Sequence, residues 1–208
     1  MFEPPLRGPH VDTYDRRRDH LLAIAARVFA DRGFHRTSMR DLSRETGMSL
    51  AGMYYYVKGK EDLLFQIQKA CVERVGAGAA AAVAARARPE ERLLAFVRHH
   101  VLFFAEHKAE MKVLSHEAGS LSGEMLETVR GLERGYADLC LGLLAEIEAA
   151  RAPGTAAADR AVAAYALFGM MNWIHTWYDP AGRLSPDDLA ATLGRLFLHG
   201  FSGAAPAG

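Results

Sequence analysis

The stretch Thr37–Lys60, TSMRDLSRETGMSLAGMYYYVKGK, decides the fold of this 208-residue chain. The hydroxyl residues that open it can cap a helix, because a side-chain oxygen accepts a free backbone N–H at a helix start. Gly47 supplies the permissive backbone of a sharp turn, and Ser49 can cap a second helix over residues 50–57. The sequence therefore predicts two short helices around a tight turn, followed by the start of a third.

Two short helices that meet at a glycine-containing turn are typical of the helix-turn-helix, whose second helix enters the major groove of DNA. Small residues in this second helix would let it approach the base edges closely. Arg40, at the start of the preceding helix, is the best candidate for a guanine contact. The exposed side of the second helix is predicted to consist of Leu50, Ala51, Gly52, Tyr54 and Tyr55.

The detail of this region resembles the tetracycline-repressor family of bacterial transcription regulators. The matching residues are Phe29, Gly33, Phe34, Thr37–Leu42, Gly47, Ser49, Tyr54–Tyr56 and Lys58–Leu64. The resemblance is strong over residues 16–65, and Val57 departs from it because the family usually has phenylalanine there. It implies phosphate contacts by Thr37, Ser38, Ser49, Tyr54, Tyr55 and Lys60.

The rest of the chain predicts an all-α fold of about nine helices, because apolar residues recur at helical spacing and no stretch alternates with a period of two. We expect a three-helix DNA-binding domain over residues 14–60 and a helical ligand-binding and dimerisation domain over residues 61–203. Beyond the motif, helices are predicted over 14–32, 61–75, 89–106, 108–116, 122–150, 158–178 and 186–201. Residues 1–12 and the last seven residues should be disordered, and glycines in 76–88 should loosen or break the chain there.

Charge and composition narrow the function classes. Residues 1–60 hold 11 Lys and Arg against 7 Asp and Glu, and the remainder holds 14 against 18. This fits a DNA-binding head on a body that does not bind DNA, although a chance imbalance would look the same. Cys71 and Cys140 lie in apolar patterns typical of reduced core thiols. With no signal-peptide or membrane-span pattern, we predict a cytoplasmic protein.

No motif for a metal site, a phosphate loop or a catalytic nucleophile occurs, so the sequence predicts no enzyme activity, no metal and no cofactor. The body is instead rich in aromatic and methionine side chains, which are more often plain core but can also line a ligand pocket between helices. The predicted pocket residues are Phe96, His100, Phe103, Phe104, Met111, Met125, Val129, Met170, Trp173 and Trp177.

The segments GMMNW at 169–173 and GRLSP at 182–186 resemble the family members that control fatty-acid, phenylacetate and sterol breakdown. Those regulators respond to acyl-CoA thioesters, so the resemblance implies an acyl-CoA effector that releases a repressor from a palindromic operator. Arginines near the pocket mouth would face the CoA phosphates, with Arg88, Arg92, Arg130 and Arg134 as candidates. The alternatives are a regulator of a multidrug efflux pump, a ligand-binding helical module that does not bind DNA, or an uncharacterised enzyme.

One head contacts few base pairs, so helix-turn-helix proteins usually dimerise and read a palindrome. The last two helices are the predicted homodimer surface, through a four-helix bundle with the partner's helices. The same faces could instead pack within the monomer. The residues considered are Ala161, Ala164, Tyr165, Phe168, Gly169, Asn172, Leu189, Leu193, Leu196, Phe197 and Gly200.

Overall fold

The computed structural model describes residues 9–150 and 159–199. Within these ranges the chain forms nine α-helices and one turn of 3-10 helix at Trp173–Thr176, and no strand. The all-α prediction is confirmed. The helices are α1 Pro9–Arg32, α2 Met39–Thr46, α3 Leu50–Tyr54, α4 Lys60–Ala84, α5 Pro89–Glu106, α6 Lys108–His116, α7 Gly123–Ala149, α8 Arg160–Asn172 and α9 Pro186–His199.

The head consists of α1, α2, α3 and the first turns of α4, packed around a single apolar cluster. Phe29, Leu42 and Met53 are fully buried at its centre. Val113 from α6 and Val129 from α7 belong to the same cluster. The head therefore shares its core with two helices of the body.

The body has its own core, built from α4, α5, α7, α8 and α9. Helix α9 lies against α5, and a Cβ added at Gly194 would stand 2.4 Å from the Leu94 side chain. Leu189 and Leu193 are buried there, as is Ala164 on α8. These three predicted dimer residues thus pack within the monomer, and Gly200 lies outside the described residues.

The predicted break in residues 76–88 occurs only at its end, because the chain is non-helical at residues 85–88, between α4 and α5. Helix α4 runs without interruption from Lys60 to Ala84, through both Gly76 and Gly78. Ala79 and Val83 are buried in the body core, so tertiary packing outweighs the glycine penalty of about 1 kcal/mol per residue. The predicted domain boundary after residue 60 falls at the start of this helix and stays a prediction.

Two ends also differ from the prediction. Helix α1 begins at Pro9, five residues before the predicted start, while α3 ends at Tyr54 rather than at Val57. Val57 is nevertheless buried in the head core. Since α1 begins at Pro9, residues 9–12, predicted to be disordered, are helical. Residues 1–8 and the tail, for which disorder was also predicted, lie outside the described residues.

Candidate nucleic-acid interface and interior cavity

Helix α2 is fixed by a reciprocal cap at its N-terminus. The Ser38 hydroxyl accepts the backbone N–H of Asp41 at 3.2 Å, and the Asp41 carboxylate accepts the backbone N–H of Ser38 at 2.9 Å. Asp41 also pairs with Arg44. Hydrogen bonds from Ser38, followed by the bond and charge of Arg44, lower the pKa of Asp41 to about 2. The carboxylate therefore stays charged and stabilises the first turn of α2. The exposed side chain of Arg40 belongs to that turn.

Helix α3 follows a turn in which Gly47 adopts the left-handed conformation at φ 67°. The Ser49 hydroxyl caps α3 by accepting the Gly52 N–H at 3.0 Å. A Cβ at Gly52 would come within 3.2 Å of that oxygen, so glycine leaves the cap room. Ala51 is exposed and Leu50 half-buried, so the predicted contact side of α3 is open to a groove.

Two large aromatic side chains stand out from the head surface. Tyr54 is 53% exposed and Tyr55 is 71% exposed. The Tyr55 ring meets Tyr14 edge-on at 5.6 Å and Tyr56 at 5.1 Å, which ties the end of α3 to α1. The rings are held in place while their outer surfaces remain open, as a phosphate-contacting tyrosine requires.

Thr37 and Lys60 do not fit the predicted role of phosphate contacts. Thr37 is 2% exposed, and its hydroxyl donates to the Gly33 carbonyl at 2.9 Å. The Lys60 ammonium donates to the carbonyls of Phe34 and Thr37, each at 2.9 Å, and lies 4.3 Å from the centre of the Phe34 ring. Both side chains are turned inward by backbone acceptors that the sequence pattern could not reveal.

A second connection joins the head to the body through the loop after α6. The Glu117 carboxylate accepts the backbone N–H of Phe34 at 3.0 Å and the hydroxyl of Ser120 at 2.7 Å. The Glu117 carbonyl accepts the Gln68 amide of α4 at 3.1 Å. We call this group, Glu117 with Ser120, Phe34 and Gln68, the Glu117 latch. It connects the C-terminal end of α6 to α4 and to the loop that precedes α2.

A cavity of about 270 Å³, open to the surface, lies between α4, α5, α6, α7 and α8, and we call it the His100 cavity. Val72 and Val75 of α4 form part of its wall. A second cavity, the Trp173 cavity of about 420 Å³, shares Met111, Leu114, Glu133 and Asn172 with the first. The His100 cavity is lined by Val72, Val75, His100, Met111, Leu114, Glu133, Tyr136, Ala137, Tyr165, Phe168 and Asn172.

Three of the ten predicted ligand residues line these cavities: His100, Met111 and Trp173. Phe96, Phe103 and Phe104 are buried in the body core, and Met170 packs against that core. Trp177 is 56% exposed and lines neither cavity. Met125 and Val129 were predicted to bind the ligand but pack in the core of the head instead.

Sequence reasoning missed the polar wall of the His100 cavity. Neither Tyr136 nor Glu133 is among the predicted pocket residues, although both line this cavity. The Tyr136 hydroxyl lies 3.0 Å from Nδ1 of His100. Burial lowers the pKa of His100 to about 4, and it raises the pKa of Glu133. A polar residue one helical turn from apolar ones was the available signal, but only the fold shows that it faces a cavity.

Among the described residues, no helix is long and apolar enough to cross a membrane. In the same parts of the chain, no three His, Cys, Asp or Glu side chains come together to hold a metal ion. Burial raises the pKa of Cys71 to about 12 and that of Cys140 to about 11. Both thiols are buried and stay protonated at neutral pH.

Known proteins match both halves of the chain. Residues 21–67 match the family model for bacterial regulatory proteins of the tetR family. The transcriptional repressor KstR2 of Mycolicibacterium smegmatis is 24% identical over 189 residues, which are 89% of this chain and 91% of that protein.

Solved structures match over most of the length. A TetR-family transcriptional regulator from Bordetella parapertussis 12822 superposes with a TM-score of 0.85 at 26% identity, over 93% of this chain and all of that one. AibR, solved in complex with isovaleryl coenzyme A and operator DNA, superposes with a TM-score of 0.77 at 29% identity, over 86% of this chain and 97% of that one.

These matches are to DNA-binding regulators and not to enzymes. The family model for the tetracyclin repressor-like C-terminal domain matches residues 86–201, more than half of the chain. Since the tetR-family model matches the head as well, the chain belongs to the TetR family of bacterial transcriptional regulators.

Proposed function

We propose that this protein is a cytoplasmic, homodimeric repressor. Residues 14–60 bind one half of a palindromic operator, and residues 61–203 bind an acyl-CoA that releases the DNA. The observation that carries the proposal is the course of α4. Its first residue, Lys60, is bonded into the head, and about three to four turns later Val72 and Val75 form the wall of the His100 cavity.

The DNA part of the proposal rests on the exposed side of α2 and α3. Arg40, Ala51 and Tyr55 are exposed there, while the opposite sides of both helices are buried in the head core. Because α3 has only five residues, one head reads few base pairs, and two heads on successive major grooves supply affinity and specificity. Of two proteins similar to this chain, KstR2 is named a transcriptional repressor and AibR was solved in complex with operator DNA.

The dimer part rests on apolar side chains that the described monomer leaves uncovered on α8 and α9. Val162 is 64% exposed, Tyr165 77% and Leu196 36%. Soluble monomers rarely expose such residues together, because the apolar area would associate. In a two-fold symmetric dimer, this face of one protomer packs against the same face of the other, so that both faces become buried.

The effector part rests on the cavity and on one neighbour. AibR was solved with an acyl-CoA, isovaleryl coenzyme A. In this chain the His100 cavity is lined mainly by apolar side chains, which suits an acyl group. Arg88 and Arg92 are paired with Glu91 and Glu146 on other parts of the surface. Arg130 is likewise paired, with Glu127, so Arg134, next to Glu133 of the cavity wall, is the better partner for the CoA phosphates.

Release follows if the effector prefers a state with a different α4 orientation. A ligand shifts a two-state equilibrium only by its difference in affinity between the states, typically worth about 1–3 kcal/mol. Occupancy of the His100 cavity pushes on α4 directly and on α6 through Met111 and Leu114. Helix α6 then acts on the head through the Glu117 latch.

Gel-shift titration with the DNA upstream of the protein's own gene tests the DNA part. We expect specific binding that weakens steeply with salt. Tyr55→Phe removes only a hydroxyl from an exposed ring and should weaken binding about tenfold with the dimer intact. The absence of any salt-sensitive specific binding would overturn the proposal, and dissociation of the Tyr55→Phe dimer would mean that this residue is misplaced.

A panel of acyl-CoAs and uncharged drugs, added to the protein–operator complex, tests the effector part. Acyl-CoAs should release the DNA and raise the melting temperature of the free protein. If only hydrophobic drugs without a CoA group release the DNA, the acyl-CoA effector is wrong and the protein regulates an efflux pump instead.

A further inference from the structure

One glutamine side chain of α4 joins three parts of the head. The Nε2 of Gln66 donates to the Tyr56 carbonyl and to Oδ2 of Asp62, each at 3.3 Å. Its Oε1 accepts Nε of Arg18, on α1, at 2.9 Å. We call this group, Gln66 with Arg18, Tyr56 and Asp62, the Gln66 bridge. It links α1, the turn after α3 and the start of α4.

The partners of the Gln66 bridge require an amide at its centre. Arg18 offers only donors, whereas the Tyr56 carbonyl and the Asp62 carboxylate only accept. A glutamate in place of Gln66 would bond to Arg18 but repel the two acceptors, and a lysine would do the reverse. Among side chains of this length, only glutamine supplies both a donor and an acceptor, so its place here is set by chemistry and not by helix propensity.

The Gln66 bridge holds the turn that carries the most exposed aromatic residue of the head. Asp62 also accepts the backbone N–H of Lys58 at 2.7 Å, so side chains of α4 bind the backbone of this turn at two points, Tyr56 and Lys58. Tyr55, which is 71% exposed, directly precedes the first of them. The direction in which its ring leaves the head therefore depends on the bridge.

Helix α1 supports the same turn from its other side. The ring of Tyr14, one helical turn before Arg18, lies 4.9 Å from that of Tyr56 and 5.6 Å from that of Tyr55. Ring contacts of this kind tolerate sliding, whereas hydrogen bonds weaken steeply when their angle changes. Arg18 is half-buried while its neighbour Arg17 is exposed, which fits an arginine used inside the head.

We propose that Gln66, held by Arg18, is a positioning residue for operator binding. Without touching DNA, it fixes the Tyr56 carbonyl and thereby the angle at which Tyr55 meets the phosphate backbone. This inference rests on the operator binding proposed above and adds residues that act through Tyr55.

Fluorescence anisotropy of the full-length dimer with the labelled DNA upstream of its own gene tests the inference. Gln66→Met keeps the length of the side chain, removes both hydrogen-bonding groups and should weaken binding about tenfold. Tyr55→Phe should cost about tenfold in the parent but less than about threefold in Gln66→Met, because the hydroxyl no longer meets its phosphate. If Gln66 served only stability, Tyr55→Phe would cost the same in both.

Arg18→Met gives a second measurement that does not depend on the folding of Gln66→Met. It should also reduce the effect of Tyr55→Phe, while the slope of log affinity against log salt stays as in the parent. Loss of a phosphate contact would instead lower that slope by about one. Arg17→Met removes the same charge from the exposed neighbour and is the matched control, which should leave the effect of Tyr55→Phe unchanged.

Each outcome bears on a different statement. Absence of specific binding by the parent overturns operator binding and this inference together. If the parent binds, an equal effect of Tyr55→Phe with and without the Gln66 bridge overturns this inference alone, as does a parent in which Tyr55→Phe has no effect. A slope that falls by about one in Arg18→Met would make Arg18 a phosphate contact and contradict its role in the bridge.

Discussion

The ammonium of Lys60 holds the entry to α2 together from inside the head. Its two backbone acceptors, Phe34 and Thr37, flank the short loop between α1 and α2, and its charge also lies over the Phe34 ring. Hydrogen bonds from a charged group contribute about 1.5–3 kcal/mol when shielded, and less at a half-buried site such as this one. Lys60 thus connects the start of α4 to the DNA-binding unit.

Lys60→Met should therefore lower the free energy of unfolding by about 1–2 kcal/mol, because two carbonyls lose their donor. Lys58→Met, at an exposed position two residues earlier, is the matched control and should change stability by less than about 0.5 kcal/mol. Urea denaturation measures both. If Lys60→Met keeps full stability but lowers the salt dependence of operator binding, the lysine contacts phosphate after all.

His100 should make the stability of the protein depend on pH. Its pKa is about 4 when folded and about 6.5 when unfolded, so between these values the unfolded chain binds more protons. The stabilisation is complete above pH 6.5 and is lost as the pH falls towards 4, by up to about 3 kcal/mol. Denaturation midpoints from pH 7 to pH 4.5 should fall less steeply in His100→Phe. Parallel curves for the two proteins would show that another group causes the loss.

At the scale of the element, α4 shows where local propensity yields to packing. Gly76 and Gly78 both lie inside the helix, yet their surroundings differ. A Cβ at Gly76 would touch Tyr136 at an ordinary 4.0 Å, whereas at Gly78 it would stand 2.3 Å from the His99 ring. Gly78 is therefore required for the approach of α5, and Gly76 is not.

This difference gives a paired prediction. Gly76→Ala should raise the free energy of unfolding by about 0.5–1 kcal/mol, since alanine restricts the unfolded chain and suits a helix. Gly78→Ala should give no gain or a loss, because the His99 ring must move. Thermal denaturation compares them. Equal stabilisation by both changes would mean that α4 and α5 are further apart than described.

The Glu117 latch is a second element-scale device. Glu117→Ala leaves the Phe34 N–H without its acceptor and should lower stability by about 1–3 kcal/mol. Hydrogen exchange should also speed up at Phe34. Glu127→Ala, which removes only an exposed pair with Arg130, serves as the control. Unchanged protection at Phe34 would show that the loop does not hold the head.

Helices could be predicted from the sequence where residues typical of helix ends accompany apolar residues at helical spacing. Residues 89–106 begin with a proline and two glutamates and form the predicted helix. Residues 108–116 also form the predicted helix. Cavity residues were not predictable in the same way. Periodicity shows that Val129 and Tyr136 lie on apolar faces, but not that one packs on the head and the other borders a cavity. That distinction depends on which helices cross.

At the scale of the whole molecule, the uncovered face of α8 carries the dimer prediction. Val162→Glu places a charge on a side chain that is 64% exposed and lines neither cavity. Light scattering should show the mass fall to that of a monomer at low concentration, and operator affinity should fall with it. Ala80→Glu, on an exposed side of α4, should leave the dimer intact. A Val162→Glu protein that remains dimeric would place the interface elsewhere.

The unbroken course of α4 also makes it a lever arm. From Val75 to Lys60 it spans about 22 Å, so a pivot of about 5° at the cavity swings the head by about 2 Å. The two-fold axis would double that change in the span between heads, against half-sites that DNA fixes about 34 Å apart. Derepression would then depend on the angle that a ligand imposes and not on how tightly it binds. A compound that fills the cavity without tilting the lever would act as an antagonist.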